Sequence, residues 1–329
     1  MINSIVNLNP KLFEPDVEKV PSRNGFGEGM VLAAENDENI VGLCADLTES
    51  TRMQAFAEKF PNRFFEMGVA EQNLVTVAAG MALGGKIPFT ASYATFSPGR
   101  NWEQIRTTIC YNDVPVKIIG SHAGLSVGPD GATHQALEDI AMMRALPNMI
   151  VISPADSIEA KKPTQAIARN GKPCYMRLSR DKVPVITSEQ TPFEIGKAEV
   201  FFEGKDVTII ATGQMVYKAL QAAKELKEHK ISVRVINCHT IKPIDKKTIL
   251  QAASETGAIV TVEEHQITGG LGGAVAEVLS QNYPVPLKII GVEDCFGESG
   301  EPNELLEKFG LTKEAIIKAV TQVLRMKGR

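Results

Sequence analysis

From residue 39 onward, strand-sized runs of β-branched and aliphatic residues alternate with longer segments of helical period, and this alternation constrains the fold more than any other feature. A strand followed by a helix and another strand pairs in parallel, because the helix carries the chain back along the sheet. In the first half the pattern predicts strands over 40–44, 64–67, 89–92, 114–119, 149–152 and 174–178, separated by helices over 54–59, 71–83, 102–111, 136–145 and 157–170. In the second it predicts strands over 207–211, 232–236, 258–262 and 287–291, with helices over 215–228, 244–253, 272–279 and 313–324. The expected class is α/β: two doubly wound domains, each a mostly parallel sheet flanked by helices. A length of 329 residues suits two cores better than one. Residues 1–22, with three prolines and little periodicity, read as an N-terminal arm. Residues 23–185 read as the first domain, 186–200 as a linker that loses periodicity, and 201–329 as the second domain.

Composition excludes several classes of partner. Thirty-five basic residues against 39 acidic ones leave a net charge of −4, which gives no general attraction to nucleic acid or to an anionic membrane. Met1-Ile2-Asn3-Ser4 is not followed by a basic region and a long apolar core, so the expectation is a cytoplasmic protein. Cys44, Cys110, Cys174, Cys238 and Cys295 stand far apart with no Cys-x-x-Cys pair, and read as buried thiols.

Three clusters carry the candidate chemistry. Gly68-Val69-Ala70-Glu71-Gln72-Asn73 follows a strand and opens an apolar helix. A first-turn acid usually just complements the helix dipole, worth about 0.3–1 kcal/mol, but apolar neighbours would desolvate Glu71 and suit it to acid/base work. Tyr93-Ala94-Thr95-Phe96 and Trp102 then place three aromatics past a strand end, either as core residues or as a platform for a planar heterocycle. Third, residues 121–135 hold His122, Asp130, His134 and three glycines in one polar loop. Thr133 there is also a plausible helix cap, with His134 in the first turn. Arg23 and Arg180 are candidate phosphate forks, although surface arginines are more often only solvated. Gly269-Gly270-Leu271-Gly272-Gly273 lacks the Lys-Ser/Thr of a P-loop and the spacing of a dinucleotide fingerprint; close helix packing is the expectation, a small anion or subunit contact the lesser one. No metal site held by this chain alone is expected.

In this order and approximate spacing, the Glu71 motif, Tyr93-Ala94-Thr95-Phe96 and the 121–135 loop resemble the C-terminal half of transketolase, the thiamine-diphosphate enzyme. The resemblance covers nearly all of the chain after residue 20, and implies a pyrimidine-binding domain followed by a transketolase C-terminal domain. It implies that Glu71 hydrogen-bonds the pyrimidine ring nitrogen of thiamine diphosphate, favouring the imino tautomer, and that Phe96 stacks on that ring. His134 and His122 would face the sugar oxygens and assist proton transfer, and Asp130 would meet the hydroxyl that distinguishes donor stereochemistry. Arg23, Ser50 and Arg180 would hold the sugar phosphate, while Asp46 would lie in the cofactor region. The segment 97–102 departs from the family pattern, with Trp102 in the place of a family tyrosine as a possible cofactor contact.

The Gly-Asp-Gly motif through which transketolases hold Mg2+ and the diphosphate is missing; Asp130-Gly131 is the only Asp-Gly and belongs to the substrate loop. The resemblance therefore implies the C-terminal subunit of a split transketolase of the pentose phosphate pathway. An N-terminal partner subunit would carry the diphosphate and Mg2+, in an assembly with two copies of each chain. Close alternatives are the beta subunit of a 2-oxoacid dehydrogenase decarboxylase and a deoxyxylulose-phosphate synthase-like enzyme; a noncatalytic interaction subunit is the alternative of another class.

Overall fold

The computed structural model describes residues 1–328. The first unit contains strands β1 (Lys19–Pro21), β2 (Ile40–Cys44), β3 (Phe64–Glu66), β4 (Ile87–Tyr93), β5 (Lys117–Ser121), β6 (Ile150–Ile152), β7 (Cys174–Arg177) and β8 (Lys182–Pro184). Its helices are α1 (Ser22–Asn36), α2 (Gln54–Lys59), α3 (Glu71–Leu83), the short α4 (Trp102–Gln104), α5 (Asp139–Arg144) and α6 (Ser157–Ile167). The second unit contains β9 (Glu199–Phe202), β10 (Val207–Ala211), β11 (Val233–Asn237), β12 (Thr240–Lys242), β13 (Ile259–Gln266) and β14 (Leu287–Val292). Its helices are α7 (Met215–Glu228), α8 (Lys246–Thr256), α9 (Leu271–Asn282), α10 (Pro302–Lys308) and α11 (Lys313–Lys327).

Two main sheets result, in the orders β12-β6-β7-β5-β4-β2-β3 and β14-β13-β10-β11-β9. All pairings within them are parallel except at the edge strands β12 and β9, so both units have the α/β architecture the alternation predicts. Among the described residues no helix is long and apolar enough to cross a membrane.

The strand β12 comes from the second unit but pairs antiparallel with β6, Thr240 opposite Ile152, and so extends the sheet of the first. The amino-terminal arm does the reverse: Val6, Leu8 and Leu12 enter the second unit's core, and the Asn3 N–H donates to the Phe201 carbonyl. Residues 186–200 are not a loose tether. Asp156 caps α6 through the Glu159 N–H, as its position before the helix predicts, and its other oxygen accepts the N–H groups of Ile186 and Thr187. Ile186 is buried and β9 begins at Glu199, so the low periodicity here reflects irregular but anchored backbone.

Helix α1 escapes sequence reading because Gly25, Gly27 and Gly29 lower its helix propensity. The glycines have a packing cause. A Cβ on Gly25 would overlap the Ser157 carbonyl oxygen, and one on Gly29 would crowd Lys161 and Thr164, so α1 lies against α6 nearly backbone to backbone. In Gly25→Ala the gain in helix propensity of about 1 kcal/mol is outweighed by overpacking. The expected net loss is about 2 kcal/mol or more, read as a lowered midpoint in urea unfolding.

Cys44, Cys110, Cys174 and Cys238 are buried as expected, but Cys295 is exposed, on the segment after β14 where no core covers it.

Candidate active site

The carboxyl ends of β2, β4, β5 and β7 point to one edge of the first sheet, where ligand sites of parallel sheets form. The loops leaving those ends carry nearly every residue singled out from the sequence.

Glu71 opens α3 after Gly68, whose φ of +67° lets the chain turn sharply from β3. Its residue exposure is 2%, beside the buried Leu74 and Val75. The Oε2 atom accepts from Arg100 Nη1 at 2.8 Å, and the Glu71 carbonyl accepts from Asn101 Nδ2 at 2.9 Å. The Arg100 guanidinium also lies 4.7 Å from the Phe96 ring centroid. A flat cation that donates N–H bonds is thus held by a buried carboxylate and an aromatic ring together. Arg100 is a site residue that sequence reading passed over; its only signal was its place one turn from the aromatic motif.

Phe96 and Tyr93 are near-parallel at 6.1 Å, and Tyr93 stacks on His122 at 4.0 Å. His134 meets Phe96 edge-on at 5.3 Å, its Nδ1 2.9 Å from the Thr133 hydroxyl. Trp102 stands outside this group. It is half-buried against the core beneath α3, and its Nε1 donates to the Met142 carbonyl at 3.0 Å. Its indole N–H is thus already engaged within this chain.

His122 sits at φ +54° with 2% exposure. Arg23 Nη1 lies 3.1 Å from its Nε2, and Ser121 Oγ lies 3.1 Å from its Nδ1. A guanidinium can only donate, so Nε2 accepts and the ring proton resides on Nδ1, facing the serine. Burial, then the charges of Arg23, Arg180 and Arg52, push the imidazole down to about 3, so it is neutral at pH 7. That depression favours the fold above the ordinary value of 6.5, and the contribution fades as pH falls from there toward 3. His122→Gln removes it. Between pH 7.5 and about 4.5 the wild type should lose on the order of 2–3 kcal/mol more stability than the variant, measured by urea unfolding at both pH values.

Arg23 donates to the Ser50 carbonyl at 2.5 Å, while its Nε is buried without a partner. Arg52, held by Asn24 at 2.9 Å, and Arg180, donating to the Val127 carbonyl at 2.6 Å, bring two further cations toward it. Burial and these neighbours lower the Arg23 pKa. Arg52 was absent from the sequence reading because it lies in a turn without periodicity.

Asp46 and Asp130 are exposed at the rim. Glu66 ties the Asp46 loop to the turn before Glu71, accepting the Asp46 N–H at 2.7 Å and the Gly68 N–H at 3.0 Å. The structure thus brings Glu71, Phe96, His122, His134, Arg23, Ser50 and Arg180 to one sheet edge, with Asp46 and Asp130 beside them. The 269–273 segment is elsewhere and serves packing. Glu263 accepts the Leu271 and Gly272 N–H groups at 2.6 and 2.7 Å, so the start of α9 is already filled by a carboxylate and offers no anion site.

A family follows from this geometry and from comparison with known proteins. The chain belongs to the transketolase family, which depends on thiamine diphosphate: residues 18–185 match the transketolase pyrimidine-binding domain and residues 196–316 the transketolase C-terminal domain. It is 46% identical over 92% of its length, and 96% of the other, to a Methanocaldococcus jannaschii protein provisionally named as a transketolase C-terminal section. It is 42% identical to a Clostridium protein named as a 6-deoxy-6-sulfo-D-fructose transketolase subunit, covering 96% of this chain and 98% of that one. A solved structure described as a split gene transketolase, inactive beta4 tetramer, superposes with a TM-score of 0.88 at 48% identity, covering 94% of this chain and 99% of that one.

Proposed function

We propose that this chain is the C-terminal subunit of a two-subunit transketolase, moving a two-carbon ketol unit between ketose and aldose phosphates. The observation that carries the reading is the Glu71–Arg100–Phe96 arrangement. A place that accepts a planar, cationic, N–H-donating group between a carboxylate and an aromatic face also fits a protonated aminopyrimidine. When bound, thiamine diphosphate supplies the electron sink for an acyl-anion equivalent that no side chain can stabilise. The residues of this chain then do the rest. Glu71 holds a proton at the pyrimidine ring nitrogen, in a pocket whose apolar walls strengthen that bond. Phe96 fixes the ring plane. Arg100 gives up its place on Glu71 and turns outward, which its 49% side-chain exposure permits.

Arg23, Arg52 and Arg180 form the anion end of the sugar site, with Ser50 at its edge. His122, neutral and accepting at Nε2, is placed to accept a hydrogen bond from a sugar hydroxyl once Arg23 turns to the anion. His134 faces the aromatic ring from the other side as a second proton-handling group, and Asp130 at the rim would read a donor hydroxyl. Mg2+ and the diphosphate are assigned to an N-terminal partner subunit, two copies of each chain forming the cytoplasmic enzyme. The Clostridium relative's name widens the substrate class, since a sulfonate would meet the same three arginines as a phosphate.

The testing experiment is a ketol-transfer assay with xylulose 5-phosphate and ribose 5-phosphate, with and without a co-expressed N-terminal subunit. Transfer only in the presence of both chains is expected. Full turnover by this chain alone would contradict the split site, and acetyl transfer from pyruvate by the pair would move the reading to 2-oxoacid chemistry. Arg100→Ala in the same assay should bind thiamine diphosphate more tightly, by about threefold to tenfold, since no internal cation then competes for Glu71.

A further inference from the structure

The second unit contributes none of the residues assigned above, yet it reaches under the loop that carries His122, Asp130 and His134. Glu264, near the end of β13, is 4% exposed, and both its oxygens face that loop. Oε1 accepts the Ser126 N–H at 2.7 Å; Oε2 accepts from Gln214, whose Nε2 also reaches the Ser126 hydroxyl at 2.9 Å. The loop backbone is shaped to make this contact. Gly124, at φ +87°, comes so close that a Cβ there would strike the Glu264 carboxyl group, and Gly128, at φ +78°, ends the short stretch in between.

Further contacts hold the rest of the loop. Gln135 Nε2 donates to Leu125 and Gly128 carbonyls inside the loop, each at 3.2 Å, and to the Glu298 carbonyl of the second unit at 2.9 Å. A Cβ on Gly131 would crowd the Ser299 hydroxyl, so the loop lies flat on the segment before α10. Beneath it, Arg177 binds Asp139 at 2.9 Å and donates to the Ala136 and Glu264 carbonyls. From Ser126 the line of contact passes to Val127, whose carbonyl holds Arg180, one of the cations around His122.

We propose that Glu264 is a positioning residue: through Ser126 it clasps the 122–135 loop to the second unit, so that this unit sets the placement of Arg180, Asp130 and His134. The proposal rests on the reading of that loop as the substrate-handling one. The clasp itself is a property of this chain alone, so it can be tested whether or not that reading holds.

The test is hydrogen–deuterium exchange of the full chain, wild type beside Glu264→Ala, Glu264→Gln and Gln214→Ala, followed by donor kinetics with the partner subunit present. Glu264→Ala should raise exchange across 122–135 by about tenfold, the loss of the hydrogen bonds that one buried side chain accepts, and leave α3 and β4 unchanged. Glu264→Gln should restore most protection, because its amide oxygen still accepts from Ser126 and the Gln214 amide can flip to accept from its NH2. Gln214→Ala should fall between the two, and it decides the matter if Glu264→Ala does not fold. In the assembled enzyme, Glu264→Ala should raise the donor KM by about tenfold with kcat and thiamine diphosphate affinity changed less than about twofold. Unchanged exchange in a folded Glu264→Ala or in Gln214→Ala would overturn the clasp. Loosened exchange with an unaltered donor KM would overturn the positioning role.

Discussion

In the assembled enzyme, Glu71→Gln should lower kcat by about 10²–10⁴-fold, the usual range for removing a group that exchanges a proton in the rate-determining chemistry. The substitution keeps the size of the side chain and its bond to Arg100, since an amide oxygen still accepts, so the fold should be retained. What is lost is the ability to hold a proton at the pyrimidine ring nitrogen. The measurement is steady-state ketol transfer at saturating cofactor, with a thermal melt of both proteins as the control. A variant within tenfold of wild type would remove Glu71 from the chemistry. Glu71→Ala is a poorer test, because it also frees Arg100 and leaves a buried position empty.

The second large effect concerns the anion end of the site. Arg23→Ala removes a guanidinium whose buried Nε has no partner within the described residues and whose pKa is already lowered by burial and by Arg52 and Arg180. A hydrogen bond to a charged group contributes about 1.5–3 kcal/mol, so the KM for a sugar phosphate should rise about 10–150-fold, with kcat less affected. The control is chemical: with an unphosphorylated ketose the variant and the wild type should differ by less than about threefold. An equal loss on both substrates would show that Arg23 supports His122 and not an anion. Its 3.1 Å contact with Nε2 makes that a real competing outcome.

Much of this was legible before any coordinates. The alternation that opens at residue 39 recovers α2, α3, α7, β2 and β10 with the bounds the structure gives, because each is long or strongly periodic and flanked by turn residues. What failed did so where tertiary packing overrides local preference. Helix α1 is hidden by glycines that exist to let α6 approach. Strand β12 is three residues whose strand partner, β6, lies in the other unit. At the site, Glu71, Phe96 and the loop histidines announce themselves through compact motifs placed just after strands. Arg100, Arg52 and Glu264 do not, because an arginine in a turn or a second glutamate in a strand gains meaning only from what the fold sets against it. Trp102, conspicuous in the sequence, lies half-buried next to the site with its indole N–H on the Met142 carbonyl.

The most direct test is a structure of this chain assembled with an N-terminal partner and thiamine diphosphate. The account predicts the aminopyrimidine on the Phe96 face, its ring nitrogen at hydrogen-bond distance from the Glu71 carboxylate, Arg100 displaced, and the diphosphate with Mg2+ on the other chain. A cofactor bound elsewhere while Glu71 remains paired with Arg100 would contradict it.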